Sequence, residues 1–181
     1  MTQVHIDKIY HTIISQFFKI IGWLQTFTKY FDSSTKKILD LIVKKLEEFK
    51  EIKFIWSEIS FLDLWWQQAT EDQQNSFKKL VNEGRIEIMT GGWVMTDEAN
   101  VHYHAMLDQL IEGHQWVKRN LNFTPRVGWS IDPFGQGSTV PHLLAASGFD
   151  GAIIQRIHYN WKEVGTNKIL KFLFLILILL K

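Results

Sequence analysis

The chain has 181 residues, enough for one domain or part of a larger one, and 46% of them are hydrophobic. Lys+Arg 20 against Asp+Glu 19 leaves a net charge of +1, so the balance favours neither nucleic acid nor an anionic membrane surface. Zero cysteines exclude disulfides, thiolate metal sites and a cysteine nucleophile, while 8 Trp and 13 Phe supply aromatic faces for a core or for stacking.

Residues 1–20 are moderately apolar but lack the charged, apolar, then small-residue pattern of a signal peptide. Asp32-Ser33-Ser34-Thr35 offers helix caps before an apolar stripe at Ile38, Leu41, Ile42, Leu46 and Phe49. A strand is expected over Lys53–Ser57. Thr70 with Gln73 fits a capping box, Phe77, Leu80 and Val81 form the next stripe, and Gly84 suits the left-handed position after a helix. Arg85–Thr90 reads as a strand ended by Gly91-Gly92. Ala99, Tyr103, Met106, Leu107, Leu110, Ile111 and Val117 mark a long amphipathic helix; Asp97 and Glu98 could line a cleft or cap that helix, and capping is favoured. Strand 127–131, a short helix over about 140–147 ended by Gly148, and strand 152–155 complete the pattern. Helices alternating with strands predict an α/β fold with a largely parallel sheet.

The run Ile169–Leu180 is almost wholly Ile, Leu and Phe, broken by Lys171. It is shorter than the roughly 20 residues a helix needs to span a bilayer. A buried strand or helix, a membrane anchor, and a segment foreign to the domain all compete here; we favour the last.

The residues that carry chemistry cluster at Trp129-Ser-Ile-Asp-Pro-Phe-Gly135. Pro133 stops the strand, because proline has no amide donor and a fixed φ. Asp132 is thereby left at the strand's carboxyl end, where α/β folds place ligands. Phe134 offers an aromatic face beside it. An Asp before Pro is, by itself, more often a turn residue. Arg156 ends a later strand, and a structural salt bridge competes evenly with a site role.

Three blocks give these residues a context: Gly91-Gly-Trp-Val-Met-Thr-Asp-Glu-Ala99, the Asp132 motif, and Gln155-Arg-Ile-His-Tyr159. Residues 53–59 and 108–116 agree with them. In this order and spacing the blocks resemble the Golgi α-mannosidase II group of the retaining α-mannosidases, glycoside hydrolase family 38. The likeness covers residues 22 to about 162. It implies an N-terminal segment at 1–21, a partial catalytic domain at 22–165 and an apolar tail at 166–181, the middle part being a partial β/α barrel of about four units.

The resemblance implies that Asp132 is the nucleophile and a zinc ligand. It likewise matches Trp23 and Phe134 to aromatics that contact mannose, and Arg156 to a polar active-site residue. Trp23 reads equally well as a core aromatic. The family's His-Asn-Asp-Pro-Gly-Trp motif supplies two further zinc ligands; here only Gly22-Trp23 remains of it, preceded by Phe18-Lys19-Ile20-Ile21. The remaining histidine ligand and the general-acid aspartate are not found in this chain. Gln136-Gly137-Ser138 stands where the family has His-Ser-Pro, and Thr96 where a Pro is usual. Trp56, Trp93, Trp116 and Trp129 are read as core.

The histidines give no zinc pair. His102 and His104 are two apart on the expected helix and so face different ways. His114 is read as packing, His142 lacks a second ligand, and His158 is a weak site wall. Asn122-Phe123-Thr124 is a glycosylation sequon if the chain enters the secretory pathway.

The expected function is a fragment of a zinc-dependent retaining hydrolase of α-mannosidic bonds in N-glycan processing, inactive as it stands. Its substrate would be a mannose-containing N-glycan in the Golgi, with a homodimer of the full enzyme as a further expectation and membrane association left open. The alternatives are a non-catalytic fragment that binds a mannoside or pairs with the enzyme, and a truncated product without function.

Overall fold

The computed structural model describes residues 24–160 and the backbone of 176–179. Trp23 and the segment before it lie outside the described residues. Helix α1 (Phe27–Tyr30) starts at Thr26, whose Oγ1 accepts the Lys29 N–H at 3.4 Å. A π-helical turn, Phe31–Thr35, carries it directly into α2 (Lys36–Glu48). The stretch expected to cap α2 is therefore already helical, because the cap lies upstream at Thr26. Phe31 and Thr35 are buried in that turn.

The stripe of α2 also differs from the expected one. Leu39, Val43 and Leu46 are buried, while Leu41 and Phe49 are exposed. Asp40 sets this rotation: its Oδ1 accepts from Trp65 Nε1 at 2.8 Å and from Gln73 Nε2 at 3.1 Å.

β1 (Phe54–Trp56) leads into α3 (Ile59–Gln68), a helix absent from the expected pattern. Ile59, Phe61, Leu62, Trp65 and Trp66 bury several of its faces, so its sequence shows no clean amphipathic period. α4 (Glu71–Asn82) carries the expected capping box between Thr70 and Gln73 and buries Phe77, Leu80 and Val81. Gly84 turns the chain at φ +63° into β2 (Ile86–Ile88). α5 (Tyr103–Leu121) begins later than expected, capped by His102. Asp97 instead closes a local turn, its Oδ1 accepting the Ala99 N–H at 2.9 Å. α5 ends at the exposed sequon residue Asn122, in the left-handed conformation at φ 48°. β3 (Val127–Ser130), α6 (Thr139–Ala146) and β4 (Gly151–Ile154) then follow in the expected places.

β1 pairs parallel with β2, and β3 with β4. Thr90 joins the two pairs: its N–H donates to Val127 O at 2.8 Å, and its Oγ1 accepts the Trp129 N–H at 2.6 Å. Thr90 thereby links the parallel β1–β2 pair to the parallel β3–β4 pair, in keeping with a partial β/α barrel. Ile55, Met89, Trp129, Ile131 and Ile153, drawn from the β1 to β4 segments in turn, form one cluster. Phe54, Trp56, Ile86 and Ile88 belong to a larger cluster with α2 to α5. Alternating side chains split in this way between barrel interior and helical layer are the pattern of such folds.

Four residues of the apolar run lie in the sheet. Ile176–Leu179 forms β5, antiparallel to β4, with Gly151 opposite Leu179. This pairing covers an edge of β4 that would otherwise stay open among the described residues.

Candidate active site

The parallel strands end together, and the loops that follow them carry the polar groups. Asp132 follows β3 and Arg156 follows β4. Arg156 Nε and Nη2 both donate to Asp132 Oδ1, at 2.7 and 2.5 Å. Oδ2 takes no hydrogen bond from the described residues. The Arg156 guanidinium also lies 4.5 Å from the centroid of the Phe134 ring, which is 68% exposed. Three residues singled out from the sequence therefore form one surface cluster, in which a carboxylate oxygen and an aromatic face remain open. Trp23, the fourth, lies outside the described residues. Arg156 makes a salt bridge, and its partner is Asp132.

Two further carboxylates occupy the same end of the sheet. Glu58 follows β1, and burial pushes its carboxyl up to about 7 against a weak opposing hydrogen bond from the Met95 N–H at 3.4 Å. The sequence reading passed over it. Its place just beyond a strand's carboxyl end, the argument that picked out Asp132, would have flagged it. Glu98, expected to cap α5, instead bonds Ser130 Oγ at 2.7 Å and the Gly137 N–H at 2.6 Å. Burial raises its carboxyl above the ordinary range, against those two hydrogen bonds.

Zinc does not fit the donors described. No group of three or more His, Cys, Asp or Glu side chains converges among the described residues, whereas a zinc site ordinarily needs about three protein ligands or more. His102 and His104 do not diverge as expected: their rings stack at 5.3 Å, because His102 precedes the helix instead of belonging to it. Even so, no third ligand joins them. His114 packs against Phe149 and its Nε2 bonds Thr90 O at 2.8 Å. His142 is exposed on α6, and His158 Nδ1 accepts the Asn160 N–H.

Relatives with this sequence are hydrolases. The chain is 58% identical over 142 residues to "Alpha-mannosidase 2" of Spodoptera frugiperda, covering 78% of this chain and 13% of the relative. The human "Alpha-mannosidase 2" is 49% identical over the same length, with 78% and 12% covered. The chain thus spans only about an eighth of these relatives. An α-mannosidase structure from Enterococcus faecalis V583 superposes with a TM-score of 0.62 at 17% identity, over 72% of this chain and 14% of that one. A 4-alpha-glucanotransferase from Thermococcus litoralis reaches 0.61 at 14% identity, over 93% and 26%. At such identities these two structures speak for the fold alone. The "Glycosyl hydrolases family 38 N-terminal domain" matches residues 16–173, and with nearly the whole chain inside that match, the protein belongs to glycosyl hydrolase family 38.

Proposed function

We propose that this chain carries the nucleophile side of a retaining α-mannosidase site acting on mannose-containing N-glycans in the Golgi. The observation that supports it most is Asp132, held by Arg156 through one oxygen and open at the other, beside the exposed Phe134. In a retaining mechanism a carboxylate oxygen attacks the anomeric carbon while a second carboxyl about 5 Å away protonates the departing oxygen. Asp132 Oδ2 would form the bond to carbon, and the glycosidic C–O bond would break. Arg156 would hold the carboxylate in line, and Phe134 would stack on the apolar face of the sugar ring.

The acid partner is not among the matched residues. The zinc ligands implied by the family are replaced by Phe18-Lys19-Ile20-Ile21, and no step is assigned to a metal. Residues 1–181 alone are therefore proposed to be inactive, since members of a concerted constellation are far from additive when lost. Binding of a mannoside without turnover is the second reading, favoured by the openness of Phe134.

The test is purified 1–181 with an aryl α-mannoside and zinc, beside Asp132→Asn. No turnover by either and no stoichiometric zinc after dialysis are expected. Turnover abolished by Asp132→Asn would overturn the inactivity and keep the nucleophile. Turnover indifferent to Asp132→Asn would remove both.

A further inference from the structure

Glu98 reaches from the loop after β2 to the loop that bears Asp132. Its Oε1 accepts from Ser130 Oγ at 2.7 Å and its Oε2 from the Gly137 N–H at 2.6 Å. Ser130 closes β3 just ahead of Asp132, and Gly137 lies just past the Pro133-Phe134-Gly135 turn. One carboxylate thus grips both stems of the loop. Within it, the Gly135 N–H donates to Pro133 O at 3.0 Å, and Gly135 sits at φ +115°. The Ser130 grip is buried, and Gln136 Nε2, also buried, has no partner among the described residues. Glu98, Ser130 and Gln136 line a cavity of about 30 Å³, enough for one water to complete the network.

We infer that Glu98 is a positioning residue, which fixes the Asp132 loop and through it the Asp132–Arg156 pair. The inference takes its significance from the proposed role of Asp132, but its test reads position directly. Glu98→Gln keeps both bonds, since the amide oxygen accepts from Gly137 and the amide nitrogen donates to Ser130 Oγ. Glu98→Ala loses both, and Glu98→Asp is too short to span them.

The experiment is ¹⁵N NMR hydrogen exchange on 1–181, following the Gly137 amide and the Arg156 Nε–H, with the amides of β1 and β2 as internal controls. Glu98→Ala and Glu98→Asp are expected to speed both reporters by about tenfold or more, with the controls unchanged. Glu98→Gln should stay within about twofold of the parent. Ser130→Ala removes one grip at little structural cost and should give an intermediate effect; it carries the test if Glu98→Ala fails to fold.

An Arg156 rate unmoved in Ser130→Ala and Glu98→Asp would overturn the inference. So would equal acceleration across β1 and β2, or a failure of Glu98→Gln to rescue. An error about Asp132 would show separately, as mannoside binding or turnover indifferent to Asp132→Asn whatever the exchange result.

Discussion

Asp132 and Glu58 each follow the carboxyl end of a parallel strand, yet their surroundings differ. Asp132 meets a guanidinium at the surface, whereas Glu58 is desolvated with one weak donor. The carboxyl of Glu58 is raised from 4.5 to about 7, so the folded state holds its proton more tightly than the unfolded chain does. The stability this contributes is fully present below about 4.5 and is lost as pH rises through about 7. Glu58→Gln should therefore flatten the fall in stability over that window. It should also make the protein more stable than the parent at pH 8, by up to about 3 kcal/mol. Urea unfolding at pH 5 and pH 8 checks it; a variant less stable at both would show that the charged form is the one bound. At this scale the sequence was legible where several blocks framed a residue, as for Asp132, Phe134 and Arg156. It was illegible for Glu98, whose two partners lie far along the chain and leave no local spacing to read.

Among the elements, α5 comes unusually close to the sheet. A Cβ placed on Gly113 would run into Gly91 O and fall 2.6 Å from Gly92 C, both backbone atoms with little room to yield. Gly91 itself needs φ +67°. This contact seats the Gly91-Gly92 turn under the helix and leaves His114 to bond the carbonyl of Thr90, the same residue that links β2 to β3. Gly113→Ala should cost about 3 kcal/mol or more, at or above the upper end of ordinary overpacking. A midpoint shift of under about 0.5 kcal/mol in urea would mean that the helix slides freely, and the close seat would lose its importance. The capping box of α4 was readable because both partners lie within one turn. The rotation of α2 was not, because Asp40 is fixed by Trp65 and Gln73 from other helices.

For the molecule as a whole, the parallel pairs β1–β2 and β3–β4 follow the alternation visible in the sequence, while the fate of the apolar run does not. Its composition marks it as sticky but gives no pairing direction, and only the sheet shows which edge lies within its reach. A chain ending at Thr166 should therefore aggregate more than 1–181, since β4 would then present an uncovered edge. Light scattering at matched concentration decides it; a monodisperse short chain beside an aggregated full one would show that β4 needs no cover from β5.

The β5 pairing also bears on assembly. β5 belongs to the same chain as β4, so it holds that edge as an intramolecular partner, at a raised effective local concentration. A second polypeptide offering a parallel strand to continue the barrel meets an incumbent already in place. Its own affinity must exceed that local concentration before any exchange occurs. A strand added at β4 would have to displace β5, whereas the outer edge of β1 has no strand partner among the described residues.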